Sequence, residues 1–155
     1  MSVPLIRIAT LIHAPRELCF DLARDIQLHI RSTTGTREQA VGDVTSGLLG
    51  PGQEVTWKAT HFGVRQRLTS RITIFDRPAH FRDSQVQGAF RSFDHDHFFH
   101  VQASGTLMED VFRFESPLGW LGRCADHLFL EAYLTRFLAN RAEVIRRTAE
   151  GAFHE

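Results

Sequence analysis

The order of elements constrains this chain most. A β-rich first segment, Leu5 to His13, leads into two short helical stretches and then a run of alternating segments. A single long apolar helix, about Pro117 to Glu150, closes the chain. Alternation of this kind marks half-buried antiparallel strands. A curved antiparallel sheet followed by one long helix encloses a space between its concave face and that helix. Either side chains or a ligand must occupy that space, and which of the two does so decides the chain's role.

The 155 residues suit one domain, 1–155, with a substantial core. Eighteen basic and eighteen acidic side chains cancel and are interspersed, so no field favours nucleic acid or anionic lipid. Thirteen Phe against two Trp and one Tyr suit a dry interior or an apolar pocket. Cys19 and Cys124 match no disulfide framework or metal motif. No leader pattern precedes the first strand, and no stretch approaches the ~20 apolar residues of a membrane span. The expectation is a cytoplasmic protein without membrane insertion, as monomer or homodimer.

In the first strand Ile6, Ile8 and Ile12 share a face. Pro15 starts a helix with Leu18, Cys19 and Leu22 as its buried stripe, and Asp25 caps a second helix carrying Ile26, His29 and Ile30. A weak strand spans Thr36 to about Val44. The break Ser46-Gly47-Leu48-Leu49-Gly50-Pro51-Gly52 lacks the Gly-Lys-Ser/Thr of a phosphate loop. Val55, Trp57, Ala59 and His61 share a face of the next strand, and Phe62-Gly63 marks a tight hairpin. From Val64 to Phe75, Leu68, Ile72 and Ile74 point one way, against Arg65, Arg67, Thr69, Arg71 and Thr73. Phe81 to about Gln87 is a strand whose two sides are both mixed, so no inner face is assigned.

The next two strands are more informative. Phe93, His95, His97, Phe99 and Val101 form one inner set, and Thr106, Met108, Asp110, Phe112 and Phe114 the other. The register that keeps inner residues opposite inner residues pairs Phe99 with Met108, His97 with Asp110, and His95 with Phe112. Asp94, Asp96 and His100 fall on a solvated outer face. In the last helix, opened by Ser116-Pro117, a broad apolar arc is widest from Leu128 to Leu138, with Gly151 as its end.

The order β-α-α-β6-α resembles the helix-grip fold (α+β) of the START/SRPBCC superfamily, over nearly the whole chain. The local match is to a bacterial subgroup labelled cyclase/dehydrase-like or cell-division-inhibitor-like. It is carried by Pro51-Gly52-Gln53-Glu54-Val55-Thr56-Trp57, His61-Phe62-Gly63, Asp76-Arg77-Pro78 with Phe81, Gly88-Ala89-Phe90 and His95-Asp96-His97-Phe98. Thr106-Leu107-Met108-Glu109-Asp110 and Pro117-Leu118-Gly119 complete it. The resemblance implies a hydrophobic cavity gripped by the last helix and places Gly47–Gly52 at the glycine-rich loop of the pollen-allergen proteins. The Cys and His pairs of the Rieske iron–sulfur branch are absent.

From parity, Trp57, His61, Leu68, Phe99, Met108 and Phe112 line the cavity from the sheet. Phe129, Tyr133 and Phe137 line it from the helix. His97, Asp110 and His95 are the candidate catalytic residues, since a carboxylate orients an imidazole and raises its basicity. The competing role is structural, a buried Asp needing a partner. His95 and His97 share a face, but a third metal ligand would have to be Asp110 or His61, and neither metal nor cofactor is expected. Arg141 either anchors a ligand carboxylate or snorkels to solvent, the second being favoured. Three readings follow: binding of a small apolar or amphipathic molecule, which is preferred; a polyketide cyclase or dehydratase; and a regulatory interaction protein with a filled core.

Overall fold

A computed structural model describes residues 3–116 and 129–155. Strand β1 (Leu5–Ile12) is followed by helices α1 (Arg16–Ala23) and α2 (Ile26–Ser32), then by β2 (Gln39–Val41), β3 (Glu54–His61), β4 (Val64–Asp76) and β5 (His80–Gln87). Strands β6 (Ser92–Gln102) and β7 (Gly105–Glu115) and helix α3 (Glu131–Phe153) complete the described elements. The strands form one curved antiparallel sheet in the order β1-β7-β6-β5-β4-β3-β2. Helix α3 packs against β1, α1 and α2, with Leu138 among the inner-face aromatics and Ala142, Ile145 and Ala149 in the main core. Among the described residues no helix is long and apolar enough to cross a membrane.

Local chemistry sets the joints. The Asp25 carboxylate caps α2, accepting from Gln27 N at 2.9 Å and Leu28 N at 3.2 Å. Phe62 and Gly63 turn β3 into β4 with φ of 52° and 74°, the two positive values that a type I′ hairpin requires. The glycine-rich loop is clamped at both ends: Ile26 N donates to Gly47 O, Leu49 N to Arg24 O, and Gly52 N to Ile72 O. The clamped loop carries Leu49 into the main core.

Several expectations are corrected. A register shift between Ile72 and Ile74 reverses the parity at the end of β4. Ile74 therefore turns outward, while Phe75 turns in to meet Phe20 at 5.4 Å. Phe20, absent from the expected α1 stripe, is the centre of that contact and is fully buried. Gly151 does not end α3, which continues to Phe153. The helix is not covered on more than one side near Leu138, because Phe129 is 69% exposed and Tyr133, Leu134 and Phe137 are half-buried. Its deepest positions lie later, at Ala142, Ile145 and Ala149, where small residues permit close approach. The expected helix start at Pro117, Leu121, Cys124, Ala125, Leu128 and the Pro117-Leu118-Gly119 motif lie outside the described residues.

Candidate functional site

A cavity of about 610 Å³ lies between the concave face and α3. Trp57, His61, Leu68 and Phe112 line it from the sheet, and Phe129, Tyr133 and Phe137 from the helical side. Phe99 and Met108 do not line it. They are 1% and 0% exposed in the main core, because Phe20 of α1 fills the concave face at their end, its ring 5.3 Å from that of Phe99. Their face follows from alternation. Their position along the strand, beneath α1, does not.

The wall has two polar regions. In the first, β6 and β7 pair His97 with Asp110 and His95 with Phe112. His95 Nε2 donates to Asp110 Oδ1 at 2.9 Å, and His97 Nδ1 lies 3.2 Å from the same oxygen without an aligned hydrogen bond. Strand β5 adds Asp83, opposite His95, whose Oδ1 accepts from His97 Nε2 at 2.9 Å. The two imidazoles stack with centroids 3.8 Å apart, and Phe81 covers His97 at 4.1 Å. Asp83 and His95 face the cavity, whereas His97 and Asp110 sit behind them. The cavity wall therefore presents His95 and Asp83, not the His97–Asp110 pair.

Burial pushes the Asp110 carboxyl up, but the His95 hydrogen bond and the charges of His95 and His97 outweigh it and hold it well below the usual carboxylate range. Burial likewise disfavours charge on His97, yet the flanking carboxylates Asp110 and Asp83 raise its pKa overall. His95 is lowered by burial and by the charge of His97.

Glu38 anchors the second polar region. It is buried, and its Oε1 accepts from His29 Nε2 at 2.9 Å while Oε2 has no hydrogen-bond partner among the described residues. Burial raises the Glu38 carboxyl, and the charge and hydrogen bond of His29 bring it below its ordinary value. His61, lowered by burial, shares a 2.6 Å hydrogen bond through Nδ1 with the Tyr133 hydroxyl. Arg141 neither snorkels nor stands free: its Nη2 donates to Ala23 O at 2.8 Å, tying α3 to the end of α1, and its side chain lines the cavity.

Alternation does not identify Glu38, His29 or Arg141, since they converge from a loop and two helices. Asp83 had one signal, its parity with Phe81, which is buried. The outer face is also less wet than expected. Asp96, 1% exposed, is held by Arg82 in two hydrogen bonds of 2.9 Å, by His80 at 2.7 Å and by Arg113 at 3.2 Å.

No family profile and no curated protein matches the sequence. Solved structures do. The Zhui aromatase/cyclase from Streptomyces sp. R1128 superposes with a TM-score of 0.75 at 16% identity, covering 96% of this chain and 94% of that one. TTHA0849 from Thermus thermophilus gives 0.73 at 18%, covering 94% and 99%. Major latex-like protein 151 from Panax ginseng gives 0.69 at 15%, covering 95% and 97%. Likeness at these identities is a likeness of architecture, and on it the chain shares the helix-grip α+β fold of these structures.

Proposed function

We propose that the protein binds a small amphipathic molecule between its sheet and α3. The observation that carries this reading is the cavity of about 610 Å³, within the ~300–1,000 Å³ typical of small-molecule sites. Its walls are largely aromatic and aliphatic, suiting an apolar body. Asp83 with His95, and Glu38 with His29, add two polar regions that fix orientation. The Glu38 carboxylate, which lines the cavity, suits a hydroxyl or ammonium group of the ligand. A space of this size gives no support to the reading of a filled core.

A second reading, a cyclase or dehydratase acting on an aromatic or polyketide-like substrate, is favoured by His95 and Asp83 at the cavity wall, with Asp110 orienting His95 from behind. Native mass spectrometry of the purified protein tests the first reading by detecting a co-purified small molecule. Displacement of an apolar fluorescent dye measures the affinity. A protein that carries no molecule and takes up no dye removes the basis for both readings. Turnover of a polyketide-like substrate, lost in His95→Ala while dye binding persists, would favour the enzyme.

A further inference from the structure

We propose that Asp83, His95 and His97 bind a divalent transition-metal ion of the zinc class in the cavity wall. One donor atom from each lies within 4.8 Å of the others. Asp83 Oδ1 is 2.9 Å from His97 Nε2 and 3.9 Å from His95 Nδ1. Metal–ligand bonds of ~2.0–2.2 Å in a tetrahedral site place donor atoms roughly 3.4 Å apart. Small side-chain shifts therefore close the group around an ion. Two imidazoles and one carboxylate, with no thiolate, form a donor set suited to zinc and to ferrous iron.

The other ring nitrogens make the case stronger. A metal-ligating histidine usually donates its second N–H to a carboxylate, which fixes its tautomer. Here both second nitrogens, His95 Nε2 and His97 Nδ1, approach the same Asp110 oxygen, at 2.9 and 3.2 Å. One carboxylate thus directs the lone pairs of both rings toward Asp83. The His97 Nδ1 contact is not an aligned hydrogen bond, so this fully buried ring is incompletely satisfied as it stands. Charge agrees as well. Ligation requires neutral imidazoles, and a dication then balances Asp83 and Asp110. Because Asp83 and His95 line the cavity, the open coordination position faces it and would take an oxygen of a bound molecule.

The competing occupant is a proton: an imidazolium at His97 with its Nε2–H directed to Asp83 and its Nδ1–H to Asp110. Metal uptake distinguishes the two without any organic ligand, so the outcome is separate from that of the binding reading. Untagged protein is stripped with a chelator and titrated with Zn²⁺ by calorimetry and with Co²⁺ by visible absorption. The expected result is one ion per chain, with ligand-field bands from Co²⁺ and shifts of the His95 and His97 ring resonances. Asp83→Asn, at the cavity surface, should abolish the Co²⁺ bands while keeping the wild-type circular dichroism. Asp110→Asn should weaken Zn²⁺ binding roughly 10–100-fold, and His100→Ala on the outer face should not. Absence of uptake by the stripped wild-type protein, or uptake unchanged in Asp83→Asn, overturns the proposal.

Discussion

Replacing Asp96 by Asn tests how the outer face of the sheet holds the inner site in place. Arg82 and Asp83 are adjacent in β5 and point to opposite faces. Arg82 is paired with Asp96 in the strand register, and Asp83 with His95. Clamping Arg82 outward therefore fixes the parity that turns Asp83 inward. The clamp comprises two hydrogen bonds from Arg82, one from Arg113 and one from His80, all on a carboxylate that is 1% exposed. Breaking a buried ion pair costs ~3–5 kcal/mol when the remaining charge stays buried. Here the Arg82 and Arg113 side chains are 31% and 46% exposed and regain water, and Asn keeps one acceptor, so about 2 kcal/mol is expected. For a chain of this length that is about 4–8 °C in Tm.

The loss depends on pH. Burial raises the Asp96 carboxyl, but Arg82 and His80 lower it further, so its folded pKa lies below its unfolded one. A depressed acid contributes stability above its unfolded pKa, near 3.9. That contribution disappears as pH falls through the folded value. The wild-type advantage over Asp96→Asn should therefore be full at neutral pH and shrink below about pH 4. Calorimetric unfolding of both proteins between neutral and acid pH measures it. A Tm difference below about 2 °C at neutral pH, or one that grows on acidification, would refute the reasoning.

Three further outcomes are expected. Phe20→Ala, which removes the ring shared by Phe75, Phe81 and Phe99, should cost about 3–5 kcal/mol in denaturant unfolding and enlarge the cavity toward Phe99. Gly105→Ala should cost more than about 1 kcal/mol, since at φ 150° its Cβ would sit 2.1 Å from the Ile12 carbonyl oxygen, and a wild-type melting curve would show that β1 can move aside. Ala59→Phe, projecting into the cavity wall, should weaken dye binding at least about tenfold, about 1.4 kcal/mol, with little change in Tm; dye binding that persists unchanged would place the ligand elsewhere.

The sheet and its closing helix are legible in the sequence because alternation and helical periodicity are local. The β6–β7 register is legible for the same reason: two inward sets joined by a short loop leave one pairing, and it places His97 opposite Asp110. Alternation assigns a side chain to a face, but not to a position along the strand or to what packs above it. That is why Phe99 and Met108 share parity with the cavity residues yet lie under Phe20. A single extra residue reverses parity, which is why Ile74 points outward beyond the β4 bulge. Asp83 sits in a strand with polar residues on both sides, and the outward clamp of Arg82 by Asp96, the burial of Phe81 and the His97 hydrogen bond together turn it toward the histidines. Glu38, His29 and Arg141 come from a loop and two helices, so no periodicity in the chain relates them. The folded sheet alone brings these polar groups together, because their partners lie on neighbouring strands and helices rather than along the sequence.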